Sequence, residues 1–203
     1  VIFYTDSYQS KKDKDTNDDE EKSNTYKVLR YYRVFNSQQI ELPKNKIPKL
    51  TANNSIEPIS LADSIIKNFR DKPTIKIGSH PYYQPELDYV AMPDKNQFNS
   101  QPEYYQTLFH ELAHSTGHHS RLNRFGANNV RYASEAYSKE ELVAELTASF
   151  LSQRVGIVSE TIDNSASYIS SWLRQLKNDP KMIIRASGKA QKASDYIQNI
   201  NGR

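Results

Sequence analysis

The segment His110-Glu111-Leu112-Ala113-His114 constrains this chain more than any other five residues in it. On an α-helix, residues four apart lie one turn above each other and about 40° apart around the axis. Two imidazole nitrogens so placed can reach a single ion at about 2.0–2.1 Å. Glu111 projects beside that ion, where a carboxylate can take a proton from a water that the ion has acidified. A polar stripe on a surface helix gives the same five residues by chance. Against that reading, Tyr105, Leu108 and Leu112 supply an apolar face that buries one side of the helix. Its span is expected from about Pro102, suited to a first turn, to Gly117, suited to the residue past the end.

The chain has no cysteine, so a metal must be held by His, Asp or Glu. Two histidines leave a catalytic zinc site one protein ligand short. His118 and His119 lie just past Gly117, and His118 can join only if the chain turns sharply. A better source is the following helix, expected from a Ser138 cap with Glu141 closing a capping box, through Val155, to a stop at Gly156. Glu141 and Glu145 share one face of it. One can bind the ion while the other hydrogen-bonds a ligand histidine. Glu141 is favoured as the ligand, with Glu145 as the bracing acid or the alternative ligand. Glu140 reads instead as an exposed first-turn acid favoured by the helix dipole. Tyr132 and Tyr137, between the two helices, are candidate oxyanion stabilisers, with His118, His119 and Arg121 as weaker alternatives. The expected cofactor is one Zn2+ per chain.

Around these helices the pattern runs strands first and helices later, which argues an α+β fold with a small antiparallel sheet. Val1–Tyr8 and Tyr26–Phe35 are rich in β-branched and aromatic residues and read as a hairpin. Lys11–Asn24, with no apolar residue, is expected to be a mobile loop between them. An irregular stretch follows from Asn36 to Asn54. Ser60–Phe69 reads as a helix, Thr74–Gly78 and Tyr89–Met92 as short strands, and His80–Pro85 as a turn-rich connection. Two last helices are expected near Asp163–Asn178 and Pro180–Ile200, with Trp172 packing in the core. Residues 1–40 and 55–203 are the expected domains, and a start at Val1 without methionine reads as an excised fragment.

Partners are bounded by charge. The net charge of +3 and pI near 8.8 fall short of the pI above about 9 of a dedicated nucleic-acid domain. Arg30-Tyr31-Tyr32-Arg33 interleaves cations with rings, as single-stranded DNA requires, although an amphipathic strand gives the same pattern. Cations crowd the last helix, which reads as a solvated face. No apolar run approaches the about 18 residues of a membrane span, and no signal peptide is visible. The absence of cysteine suits a reducing compartment, so a cytoplasmic location is expected.

At these residues the chain resembles the ArdC-type antirestriction proteins, plasmid and phage proteins with a zincin-like metallopeptidase domain. The matching segments begin with Tyr31-Tyr32-Arg33-Val34-Phe35-Asn36 and continue through Tyr82-Tyr83, Asp88 and Met92-Pro93 to Thr107–His118 and Arg121-Leu122. They end with Glu140–Leu146, Gly156-Ile157 and Tyr168–Leu173. The resemblance implies an N-terminal single-stranded-DNA-binding domain, of which residues 1 to about 36 are the tail end, followed by the metallopeptidase domain. It also implies Glu141 as third ligand and Glu145 as the acid bracing a ligand histidine. The expected function is zinc-dependent cleavage of a protein or peptide substrate with Glu111 as general base. The alternative is a non-catalytic single-stranded-DNA-binding protein whose zinc is structural.

Overall fold

The computed structural model describes residues 2–10, 23–31, 33, 41, 58–125, 135–157 and 176–200. The chain divides into two compact units, Val1–Ala52 and Asn53–Arg203. In the first, strands β1 (Ile2–Ser10) and β2 (Ser23–Tyr31) pair antiparallel in unbroken register, from Ile2 opposite Tyr31 to Ser10 opposite Ser23. Ile2, Phe3, Tyr4 and Thr5 face Tyr31, Arg30, Leu29 and Val28, residue types that favour the pleated conformation. Pairing runs further than side-chain preference suggests, into Gln9–Asn24 and Ser10–Ser23, because the ladder bonds belong to the backbone. Asn24 and Ser23 therefore leave the expected loop; its remaining residues, 11–22, lie outside the described residues.

In the second unit α1 (Pro58–Asn68) precedes β3 (Thr74–Ile77), β4 (Tyr82–Gln84) and β5 (Tyr89–Met92), and then come α2 (Gln101–Ser115), α3 (Glu135–Val155) and α4 (Lys181–Ile197). The sheet order is β3-β5-β4. β5 pairs parallel with β3 and antiparallel with β4, so the sheet is mixed rather than wholly antiparallel. The segment expected as a turn supplies β4. Its flanking Pro81 and Pro85 are compatible with a strand because β4 is an edge, where proline is tolerated.

Apolar faces converge on one core: Ile65 of α1 and Phe69 just past its end, Val90 and Met92 of β5, Leu108, Phe109 and Leu112 of α2, Ala148 and Leu151 of α3, and Ile197 of α4. Leu142 and Val143, on another face of α3, pack with Met182, Ala186 and Ala190 of α4. Helix α3 thus lies between α2 and α4. Buried Tyr105 keeps its polar end satisfied, donating to Asp63 Oδ1 at 2.7 Å and accepting from Lys95 Nζ at 2.8 Å. Ser100 Oγ accepts from the Glu103 amide at 3.3 Å and caps α2 one residue ahead of Gln101. Helix α3 begins at Glu135, so Ser138 lies within it and Glu141 is released from a capping role. Gly156, at φ +88°, ends α3 as expected. Leu176–Asn178 are helical, whereas the rest of the expected helix 163–175, Trp172 included, and the connection 36–54 apart from Glu41 fall outside the described residues. No helix among the described residues is long and apolar enough to cross a membrane.

Candidate metal centre

Helices α2 and α3 pack directly, and Ala113, Ala144 and Ala148 are fully buried small residues that let them approach. Across that contact, His110 and His114 meet Glu141. The two Nε2 atoms are 3.1 Å apart, and the Glu141 carboxylate stands 3.5 Å from His110 Nε2 and 3.3 Å from His114 Nε2. Three donors at about 2.0–2.1 Å from one tetrahedral ion are themselves about 3.3 Å apart, so the triangle has the size a zinc-like ion requires. This is the sole such group among the described residues.

Each ring turns its other nitrogen towards an acid. His110 Nδ1 lies 3.0 Å from Glu145 Oε1, the partner expected from the sequence. His114 Nδ1 lies 3.7 Å from Glu140 Oε1. Glu140 is not the exposed acid expected of it: it is 8% exposed and held by Arg124, Nε to Oε2 at 3.0 Å and Nη2 to Oε1 at 2.5 Å. Arg124 also donates to the Ala113 carbonyl at 2.9 Å and to Thr116 Oγ1 at 2.6 Å. One guanidinium therefore ties the end of α2 to α3, behind the histidines. Such outer partners fix which face each imidazole presents to an ion.

The charge balance asks for a cation. Burial opposes charge on both imidazoles, yet Glu141 with Glu145 at His110, and Glu140 with Glu141 at His114, raise them above the ordinary histidine range. Burial would raise Glu141 and Glu140. The histidines, and at Glu140 also Arg124, instead hold both below the usual carboxylate range. Among the described residues, Glu141 and Glu145 stand against His110, Glu140 and Glu141 against His114, and Arg124 against Glu140. Two Nε2 atoms in contact leave room for one proton between them, while a divalent ion satisfies both lone pairs and Glu141 together.

The donors open into a cleft of about 530 Å³. Residues 81–85, which include β4, form one wall with Phe125; His110, Glu111, His114, Glu140 and Glu141 form the other. Tyr83 donates to Asp88 Oδ1 at 2.7 Å, and Arg121 grips both Asp88 oxygens at 2.8 Å. Arg121 also donates to the Asp71 carbonyl at 2.7 Å and the Ser115 carbonyl at 3.0 Å. It binds the β4–β5 turn to α2. His118 pairs with Ser120 Oγ at 2.8 Å and stacks beside His119, and neither reaches the donors.

Tyr132 lies outside the described residues, as does the Tyr137 side chain, although Tyr137 belongs to α3. Arg30 and Tyr31 occupy β2, with side chains outside the description; Tyr32 is outside it, and Arg33 is exposed. Sequence reasoning missed the Glu140–Arg124 pair and the aromatic wall. For Glu140 a signal existed: it is one of three acids within six residues of a helix that must face the His pair.

Residues 60–189 match the zincin-like metallopeptidase family. The chain is 36% identical over 165 residues to a DNA primase TraC of Escherichia coli, which covers 81% of this chain but 11% of that protein. The metal-free crystal structure of the antirestriction protein ArdC from plasmid R388 superposes with a TM-score of 0.65 at 34% identity, over 98% of this chain and 69% of ArdC. Its Mn(II)-bound form gives 0.63 at 32%, over 97% and 68%. With the motif, the fold and these likenesses agreeing, the chain belongs to the zincin-like metallopeptidase family and, within it, to the ArdC type.

Proposed function

We propose that this chain is a metal-dependent peptidase domain that holds one zinc ion through His110, His114 and Glu141. The observation that carries this reading is a donor triangle of the right size, opening on a cleft with Glu111 in its wall. An ion there would polarise a peptide carbonyl and make a water more acidic. Glu111 accepts the proton of the attacking water and passes it to the leaving amine. Glu145 and the Glu140–Arg124 pair hold the imidazoles in place. A peptide substrate suits β4, a sheet edge on the cleft wall, because an extended chain can add to such an edge through backbone hydrogen bonds. Tyr132 and Tyr137 are proposed to stabilise the oxyanion, and a cytoplasmic site of action goes with the reading.

The ArdC relative has been seen with Mn(II), so metal identity belongs in the test. Elemental analysis of the purified chain should find about one zinc per chain, and a stoichiometric amount of manganese in its place would correct the ion.

A second reading is favoured by the names of the relatives, an antirestriction protein and a DNA primase. In it the metal is structural and the chain coats single-stranded DNA through Arg30, Tyr31, Tyr32 and Arg33. Titration with a single-stranded oligonucleotide at low and moderate salt separates the two, since phosphate contacts make affinity fall steeply with salt. We expect weak binding. Tight binding that Arg30 and Arg33 substitutions abolish would promote the second reading.

A further inference from the structure

The two walls of the cleft differ in chemistry. One is polar, with three carboxylates among its lining residues; the other is mostly rings and prolines, with Tyr82, Tyr83 and Phe125 beside Pro81 and Pro85 and one amide, Gln84. The described lining residues include no Lys or Arg.

Both rings are held in place by their surroundings. The Tyr83 hydroxyl donates to Asp88 at 2.7 Å, and Asp88 is itself gripped by Arg121. Phe125 rests on Gly117, where a Cβ would stand 2.5 Å from the ring carbons, so glycine is what leaves the ring its seat. The Phe125 amide also donates to the Gly117 carbonyl at 3.2 Å. The ring centroids are 6.5 Å apart with planes tilted by 32°, which makes one continuous wall. Surfaces fixed before the ligand arrives discriminate best, because little freedom is lost on binding.

We propose that this wall chooses the substrate: the cleft takes an extended peptide that lays a bulky apolar or aromatic side chain against Tyr83 and Phe125, beside the bond to be cut, and rejects an acidic side chain there. The proposal rests on the peptidase reading above and names its substrate class. Strand geometry connects the two parts. A peptide adding to β4 sends alternate side chains to the same face, so one of them meets the wall on which Tyr83 stands. Glu111 disfavours an acidic side chain, and the described lining residues offer no Lys or Arg to pair it.

The test is binding to the zinc-loaded full chain of short peptide hydroxamates, measured by calorimetry. All share one metal-chelating group and differ in a single side chain: Phe, Leu, Ala or Asp. Burial of a large apolar side chain should make the Phe and Leu compounds tighter than Ala by about ten- to hundredfold, with Asp weakest. Phe125→Ala should compress that range to within about threefold while bound zinc stays at the wild-type level. Gly117→Ala gives a second route, since it displaces the ring without deleting it. Equal affinities across the series, or a preference for Asp, would overturn the proposal while leaving the hydrolytic site intact. Failure of every hydroxamate to bind the loaded chain would remove the peptidase reading and the proposal with it.

Discussion

The polar and aromatic walls of the cleft come from different kinds of structure. On one side α2 and α3 set His110, His114, Glu141 and Glu145 by helical spacing, each pair four residues apart. On the other side Tyr83 and Phe125 lie 42 positions apart in sequence and meet at 6.5 Å through a sheet edge, a turn and a loop. The helical side carries the charge to which the proposed chemistry is assigned, and the wall carries the rings to which the proposed fit is assigned. Substitutions on the first should cost metal, and substitutions on the second should spare it.

The largest effect should come from His110→Ala. Removing one of three donors should take bound metal from about one per chain to nearly none by elemental analysis. Retention at unchanged affinity would place the site elsewhere. Glu140→Ala should come next, since Arg124 is 7% exposed in its side chain and would be left buried without its anion. The expected loss is about 3–5 kcal/mol in chemical denaturation. A loss near zero would mean that Arg124 finds another partner, and the helices are not tied as described.

In chelator competition, Glu145→Ala should weaken metal binding by the about 10–100-fold typical of a group behind a ligand, and Glu141→Ala by more. The reverse order would exchange their roles. Gly117→Ala should leave metal binding unchanged and cost about 1–3 kcal/mol, because the added Cβ pushes the Phe125 ring from its seat without touching the donors. Metal loss in that variant would break the comparison between the two sides.

The smallest effect concerns Asp88. Burial would raise its carboxyl, but hydrogen bonds from Arg121 and Tyr83 hold it below the ordinary value of 3.8. A group whose folded pKa is depressed contributes stability above its unfolded pKa and loses it as pH falls through the folded one. Thermal melts of the wild type should therefore fall off below about pH 4 more steeply than those of Asp88→Asn. Parallel acid limbs would show that the tie between β4 and α2 does not depend on this charge.

The same contrast explains what the sequence makes legible. Spacing places His110 with His114, and Glu141 with Glu145, on one face of their helices, because helical period converts sequence distance into geometry. Glycine and proline signals locate the end of α2 and of α3. The hairpin is recoverable from composition, since Ile2, Phe3, Val28 and Leu29 fall in runs of strand-forming residues. Local pattern cannot disclose β4, whose prolines make it resemble a turn until its edge position is known. Nor can it disclose Arg124 on Glu140 or Phe125 on Gly117, which are contacts decided by the tertiary fold. The parallel pairing of β3 with β5 is likewise hidden, because strand direction is set by the path between strands.

The central claim is that Glu111 is a base beside a metal, and Glu111→Gln tests it most directly. Glutamine keeps the shape and removes the proton acceptor. Zinc content and melting temperature should match the wild type, while peptide cleavage should fall by about 10²–10⁴-fold. Full activity in a zinc-loaded, folded Glu111→Gln chain would contradict the claim and make the metal a scaffold.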